Sequence, residues 1–138
     1  MIGIVIVAHG NLADSLLAAT EHVVGKQENA RAVAIQPSDD LHDKQAEINA
    51  MVGEVNSGQG VVLITDMFGG TPSNLALGAL TSNDIEVIYG ANLPLLVKLA
   101  KSRERALADA VKAALEAGHK YIDSAANMLD MNAGNQTG

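Results

Sequence analysis

The sequence has no cysteine and no tryptophan, and Phe68, Tyr89 and Tyr121 are its whole aromatic set. Without thiols there are no disulfides, no thiolate nucleophile and no zinc–sulfur site. Three rings are too few for the stacking platforms on which single-stranded nucleic acid is held. Cations are also scarce: nine Lys and Arg stand against 16 Asp and Glu, and the net charge of −7 repels phosphate backbones. The opening apolar run is too short to span a bilayer and lacks a basic leader, so it reads as a buried strand rather than a signal peptide. These absences argue for a cytoplasmic protein and against nucleic acid as a partner. The Asn135-Gln136-Thr137 sequon is then a chance match.

What the chain does have is a set of apolar, β-branched runs. With 138 residues, 48% of them hydrophobic, it fits one domain with a single sizeable core. Runs without alternation are what strands look like when helices cover both faces of a parallel sheet. Residues 2–8, 31–36, 61–65 and 85–89 read as four such strands. Between them, Asn11 can cap a helix with Leu12, Leu16, Ala19 and Val23 on one face and Gly25 at its end. Pro37 and Ser38 precede a helix with Leu41, Ile48, Met51, Val52 and Val55 inward and with Asp39 and Asp40 in its first turn. Pro72 opens a short helix to about Leu80, since proline is favoured at the first helical position. Another helix starts near Pro94, and Ser102 caps a last one that runs to Ala117 and stops at Gly118. A short extended piece follows at 119–123. The expected fold is a single three-layer α/β domain over 1–125, with sheet order 2-1-3-4, helices on both faces, and a flexible tail at 126–138.

In that order, strands one and three are neighbours. His9 ends the first and Asp66 follows the third, and ligands bind beyond the carboxyl ends of such strands. Adjacent strands lie roughly 4.8 Å apart, so the two side chains can meet. An aspartate on one ring nitrogen fixes the tautomer, turns the other nitrogen outward as a lone pair and stabilises positive charge on the ring. No serine, cysteine or second carboxylate stands beside the pair, so a histidine acting directly as nucleophile remains. Gly69 and Gly70 allow close backbone approach, Thr71 supplies a hydroxyl, and the helix from Pro72 points free N–H groups at the crevice, which makes a phosphate-sized anion site. The Walker and G-x-G-x-x-G patterns of nucleotide binding are absent.

The segments Ile-Val-Ile-Val-Ala-His-Gly-Asn-Leu-Ala-Asp-Ser-Leu-Leu, Thr65-Asp66-Met67-Phe68-Gly69-Gly70-Thr71-Pro72-Ser73-Asn74 and Gly90-Ala91-Asn92-Leu93-Pro94 resemble the EIIA component of the mannose-type bacterial phosphotransferase system, and the likeness runs to about residue 123. The resemblance implies that His9 accepts a phosphoryl group from phospho-HPr and passes it to a IIB partner, with Asp66 as its orienting carboxylate. It implies phosphoryl-binding roles for Gly10, Gly69, Gly70, Thr71 and Asn92. The pattern brings only His9 and Asp66 together as ligands, so no metal and no cofactor is expected; the resemblance also implies a homodimer, with His119–Asp123 as the candidate for a strand that pairs across subunits, and membrane contact only through a IIC/IID permease. No IIB domain follows within the sequence, so the expected acceptor is a separate polypeptide.

Other readings stand beside this one. His9 alone reads as a hydrogen-bonded structural residue, and Asp66 alone as a turn cap. Thr71 and Asn92 can be ordinary helix caps. His22 falls off its helix's apolar face, His42 sits in an acidic helix start, and His119 follows a helix end. At the level of function, the alternatives are a regulatory protein whose phosphorylation at His9 controls a protein partner, the phosphoryl-carrying subunit of a dihydroxyacetone kinase, and a small-molecule binding domain without covalent chemistry.

Overall fold

The computed structural model describes residues 1–130. The elements alternate: β1 (Gly3–His9), α1 (Leu12–Val24), β2 (Ala30–Ile35), α2 (Leu41–Val55), β3 (Val61–Thr65), α3 (Gly70–Gly78), β4 (Ile85–Ile88), α4 (Leu93–Lys101) and α5 (Leu107–Lys120). Residues 125–130 are also helical. The four strands form one parallel sheet of order β2-β1-β3-β4, with Val7 paired to Thr65 and His9 to Ile35.

The unbroken apolar runs follow from a sheet covered on both sides. Ile4, Ile6 and Ala8 of β1, with Val62 and Ile64 of β3, pack on Leu16, Leu95, Leu96, Leu99, Ala110 and Ala114, so α1, α4 and α5 cover one face. Val5 and Val7, with Val61 and Leu63, pack on Ile48, Val52, Val55, Leu75 and Ala76 of α2 and α3 on the other. Successive strand residues point to opposite faces, and each is apolar because each meets a helix. Burying one such side chain contributes about 1.5–3 kcal/mol. The chain leaves β1 for α1 on one face and β3 for α3 on the other, so the loops diverge above these neighbouring strands and open a crevice there.

Several expected details differ. The helix expected to open at Pro72 begins at Gly70; proline is tolerated there because first-turn N–H groups have no intrahelical partner. Ser102 is not the N-cap of α5. It ends α4, its hydroxyl donating to the Lys98 carbonyl at 2.7 Å, and Ala106 precedes α5 without a side-chain cap. Gly118 does not stop α5, because its missing side chain serves packing: a Cβ there would stand 3.0 Å from Leu95 Cδ1. The strand expected at 119–123 is consequently absent, since α5 continues through Lys120 and Tyr121 turns. On α1 the inward positions are Ala13, Leu16, Leu17 and Thr20, while Leu12 and Val23 are exposed, as is Leu41 on α2. The tail expected from 126 is helical as far as 130, and 131–138 lie outside the described residues.

At the lower rim, where the strands begin, Arg103 is buried. Its Nε donates to the Ile2 carbonyl at 2.7 Å, Nη1 to Gln27 Oε1 at 3.1 Å and Nη2 to the Asn29 carbonyl at 2.9 Å, while its own carbonyl accepts from the Ile2 amide. One side chain thereby joins the α4–α5 connection to the starts of β1 and β2.

Candidate active site

At the upper rim the β1–β3 pairing brings together two residues 57 positions apart. His9 Nδ1 lies 2.8 Å from Asp66 Oδ2, and the same oxygen accepts the His9 backbone N–H at 3.0 Å. Asp66 Oδ1 accepts the Met67 N–H at 3.1 Å. The carboxylate is thus held on both oxygens by backbone and in turn fixes the ring that hangs from the same backbone. Burial raises the Asp66 pKa, but the backbone and ring donors of His9 outweigh it and hold the carboxyl below its ordinary value. An ionised carboxylate only accepts, so Nδ1 carries the ring proton and, in the neutral imidazole, Nε2 carries the lone pair. The side chain of His9 is 51% exposed and that of Asp66 11%.

Nε2 faces the glycine turn. A Cβ on Gly70 would lie 3.6 Å from Nε2, in van der Waals contact with it, so this turn stands directly against the nitrogen. Gly69 and Gly70 have φ of 86° and 84°, a region open to glycine at little cost. Gly10, also left-handed, follows His9 and donates its N–H to the Ile35 carbonyl. Among the described residues, the backbone N–H groups of Gly69, Gly70 and Thr71 donate to no protein acceptor, and the Thr71 hydroxyl has no hydrogen bond. These donors sit at the positive end of α3 and suit an anion beside Nε2.

Asn92 is placed differently. Its Oδ1 accepts from the Leu95 amide at 3.0 Å, and its Nδ2 donates to the Gly118 carbonyl at 3.0 Å. The side chain caps α4 and ties it to α5. His22, His42 and His119 lie on exposed positions of α1, α2 and α5. Among the described residues no three His, Cys, Asp or Glu side chains converge as a metal site would require.

Sequence reasoning missed the apolar rim of the site. Phe68 is 73% exposed, and its ring meets Tyr89 edge-on at 5.1 Å; Met67 and Leu12 are exposed nearby in sequence. The signal was present, because a Met-Phe pair between Asp66 and a Gly-Gly turn has no core to enter.

Comparison with known proteins agrees with the fold. The profile of the family described as "PTS system fructose IIA component" matches residues 3–116. The mannose-specific EIIAB component of Escherichia coli K12 is 31% identical over 124 residues, which cover 88% of this chain and 38% of that protein. The fructose-specific EIIA component of Bacillus subtilis is 27% identical over 105 residues, covering 75% of this chain and 72% of that one. The crystal structure of an EIIA phosphotransferase component from Streptococcus agalactiae superposes with a TM-score of 0.82 at 28% identity, over 92% of this chain and 99% of that one.

Proposed function

Because the chain belongs to the mannose-type EIIA family of the phosphotransferase system, whose members carry phosphoryl groups, we propose that His9 Nε2 accepts a phosphoryl group from phospho-HPr and hands it to a separate IIB component. The observation that carries this reading is the His9–Asp66 contact at 2.8 Å, with Nε2 turned toward the Gly70 backbone. In the transfer, the Nε2 lone pair forms a bond to phosphorus as the donor's own nitrogen–phosphorus bond breaks. Nδ1 keeps its proton throughout. The ring becomes a phosphoimidazolium whose positive charge faces Asp66, while the phosphoryl oxygens meet the amides of Gly69, Gly70 and Thr71. No lysine or arginine belongs to these loops, and amide donors hold the group loosely enough to pass it on.

A carrier that serves two proteins needs its nucleophile at the surface. His9 is half exposed, and Leu12, Met67 and Phe68 supply apolar contact for an incoming protein. The carrier is cytoplasmic, meets the membrane only through a IIC/IID permease, and works as a homodimer. A groove of about 880 Å³ along β4 and α5, lined by Ile85, Leu107, Val111 and Leu115, offers apolar surface for the second subunit.

Incubation with phosphoenolpyruvate, enzyme I and HPr should give an acid-labile, base-stable phosphoprotein. Label that persists in His9→Ala at the wild-type level assigns the group to another residue and removes this reading.

A further inference from the structure

The charge of the chain is unevenly placed. Residues 1–97 hold eleven acids against Lys26, Arg31 and Lys44, whereas 98–120 hold six cations against Glu104, Asp109 and Glu116. Five of those six, Lys98, Lys101, Arg105, Lys112 and Lys120, are exposed. Among the described residues, every Lys or Arg ion pair belongs to Lys44, so none of the five has a carboxylate within 4.0 Å although the chain is acidic. Lys98 and Lys101 share one face of α4, three residues apart, beside α5. Two shallow grooves run along this seam. One, of about 380 Å³, has Pro94, Val97, Ala113 and Ala117 between Lys98, Lys101 and Lys120, with Glu116 as its one carboxylate and Lys120 over the Tyr121 ring. The other, of about 320 Å³, has Lys98, Arg105 and Lys112 on its walls together with Asp109 and Glu116, three cations against two carboxylates.

We propose that the α4–α5 seam docks an acidic polypeptide segment of a partner protein, with an apolar side chain of that segment seated among Pro94, Val97 and Ala117. Unpaired cations around a concave apolar strip match negative charge that alternates with apolar residues. A bilayer surface fits less well, because it cannot enter a groove and because residues 1–97 oppose an anionic leaflet. The seam contains neither His9 nor Asp66 nor the Gly69–Thr71 amides, so binding there is read separately from transfer.

The test uses a short fluorescein-labelled peptide of glutamates with leucine at every fourth position, titrated by anisotropy at low and high salt. Binding should saturate, weaken with salt, and shift the amide resonances of α4 and α5 but not those of Met67–Thr71. The double reversal Lys98→Glu/Lys101→Glu should weaken it at least tenfold, and so should Arg105→Glu/Lys112→Glu. Arg31→Glu, an exposed cation on β2, should leave it unchanged. A glutamine version of the peptide should bind at least tenfold more weakly. Absence of binding, equal binding by both double reversals, or retention only on phosphatidylglycerol vesicles overturns the proposal.

Discussion

At the lower rim of the sheet, Arg103 gives its donors to Ile2, Gln27 and Asn29; at the upper rim, the amides of Gly69, Gly70 and Thr71 face no protein acceptor among the described residues. The same strands connect the two rims, yet one is closed by hydrogen bonds and the other is left open. Buried polar groups without partners are costly, so the lower rim satisfies its own. Exposed amides cost little because water serves them until an anion displaces it. The contrast separates stability from function along one sheet: residues that hold β1 in place lie below, and residues that use it lie above.

The strongest way to break that separation is to disturb Asp66. In Asp66→Asn, an amide oxygen placed toward His9 accepts both of its donors, but then the amide NH2 faces the Met67 N–H; the flipped amide opposes the His9 donors instead. Either way a donor meets a donor and the negative charge opposite the ring is gone. Transfer to and from His9 should fall about 10²- to 10⁴-fold, while the urea midpoint moves little. A rate near wild type removes Asp66 from the mechanism.

The complementary change is Arg103→Met at the lower rim. It takes the guanidinium donor from the Ile2 carbonyl and leaves the Asn29 carbonyl with the Ile4 amide alone, and unfolding by urea should become easier by about 2–4 kcal/mol. Transfer per folded molecule should stay at the wild-type rate. A large loss of transfer in this variant, measured where it is fully folded, means that the rims are coupled.

The separation was half legible in the sequence. The upper rim could be read because its chemistry stands at strand ends: His9 and Asp66 close apolar runs, and the order β2-β1-β3-β4 makes those strands neighbours. The lower rim could not, because a lone arginine between helices looks solvated until long-range packing buries it. Gly118 misled for a related reason. A glycine after a helical run reads as a terminator, and only the approach of Leu95 on α4 would show otherwise, which is a contact between residues 23 apart in sequence.

 The Asn92 side chain likewise bonds to Leu95 and to Gly118 across the same contact, which no local pattern reveals.

A smaller effect tests how the open rim keeps its shape. Phe68 precedes two left-handed glycines, and its edge-on contact with Tyr89 anchors that turn to the end of β4. Such pairs contribute about 0.5–1.5 kcal/mol. Tyr89→Leu should therefore slow transfer roughly 2- to 10-fold and increase the mobility of the Gly69 and Gly70 amides. Tyr89→Phe keeps the ring and should restore both. Equal rates in the leucine and wild-type proteins show that the glycine turn is held by other means.

The smallest expected effect is on acid stability, and it compares the rims directly. Asp66 above and Asp84 below both have carboxyl pKa values under the ordinary one. For Asp66, burial raises the pKa but the His9 donors prevail; for Asp84, the Ser82 hydroxyl and the Asn56 amide lower it. A carboxyl with a depressed folded-state pKa contributes stability above its unfolded value, and that contribution disappears as pH falls through the folded value. Both rims should therefore lose stability in the same acidic window. Asp66→Asn removes only the upper contribution, so the gap between wild type and variant should narrow as pH falls below the unfolded carboxylate value of about 3.9. Unfolding free energies measured through that window, from about pH 5 downward, check the sign. A gap that widens as pH falls through that window means that Asp66 is protonated more readily in the folded protein than in the unfolded chain, and the ionised acceptor that assigns the lone pair to Nε2 is then lost.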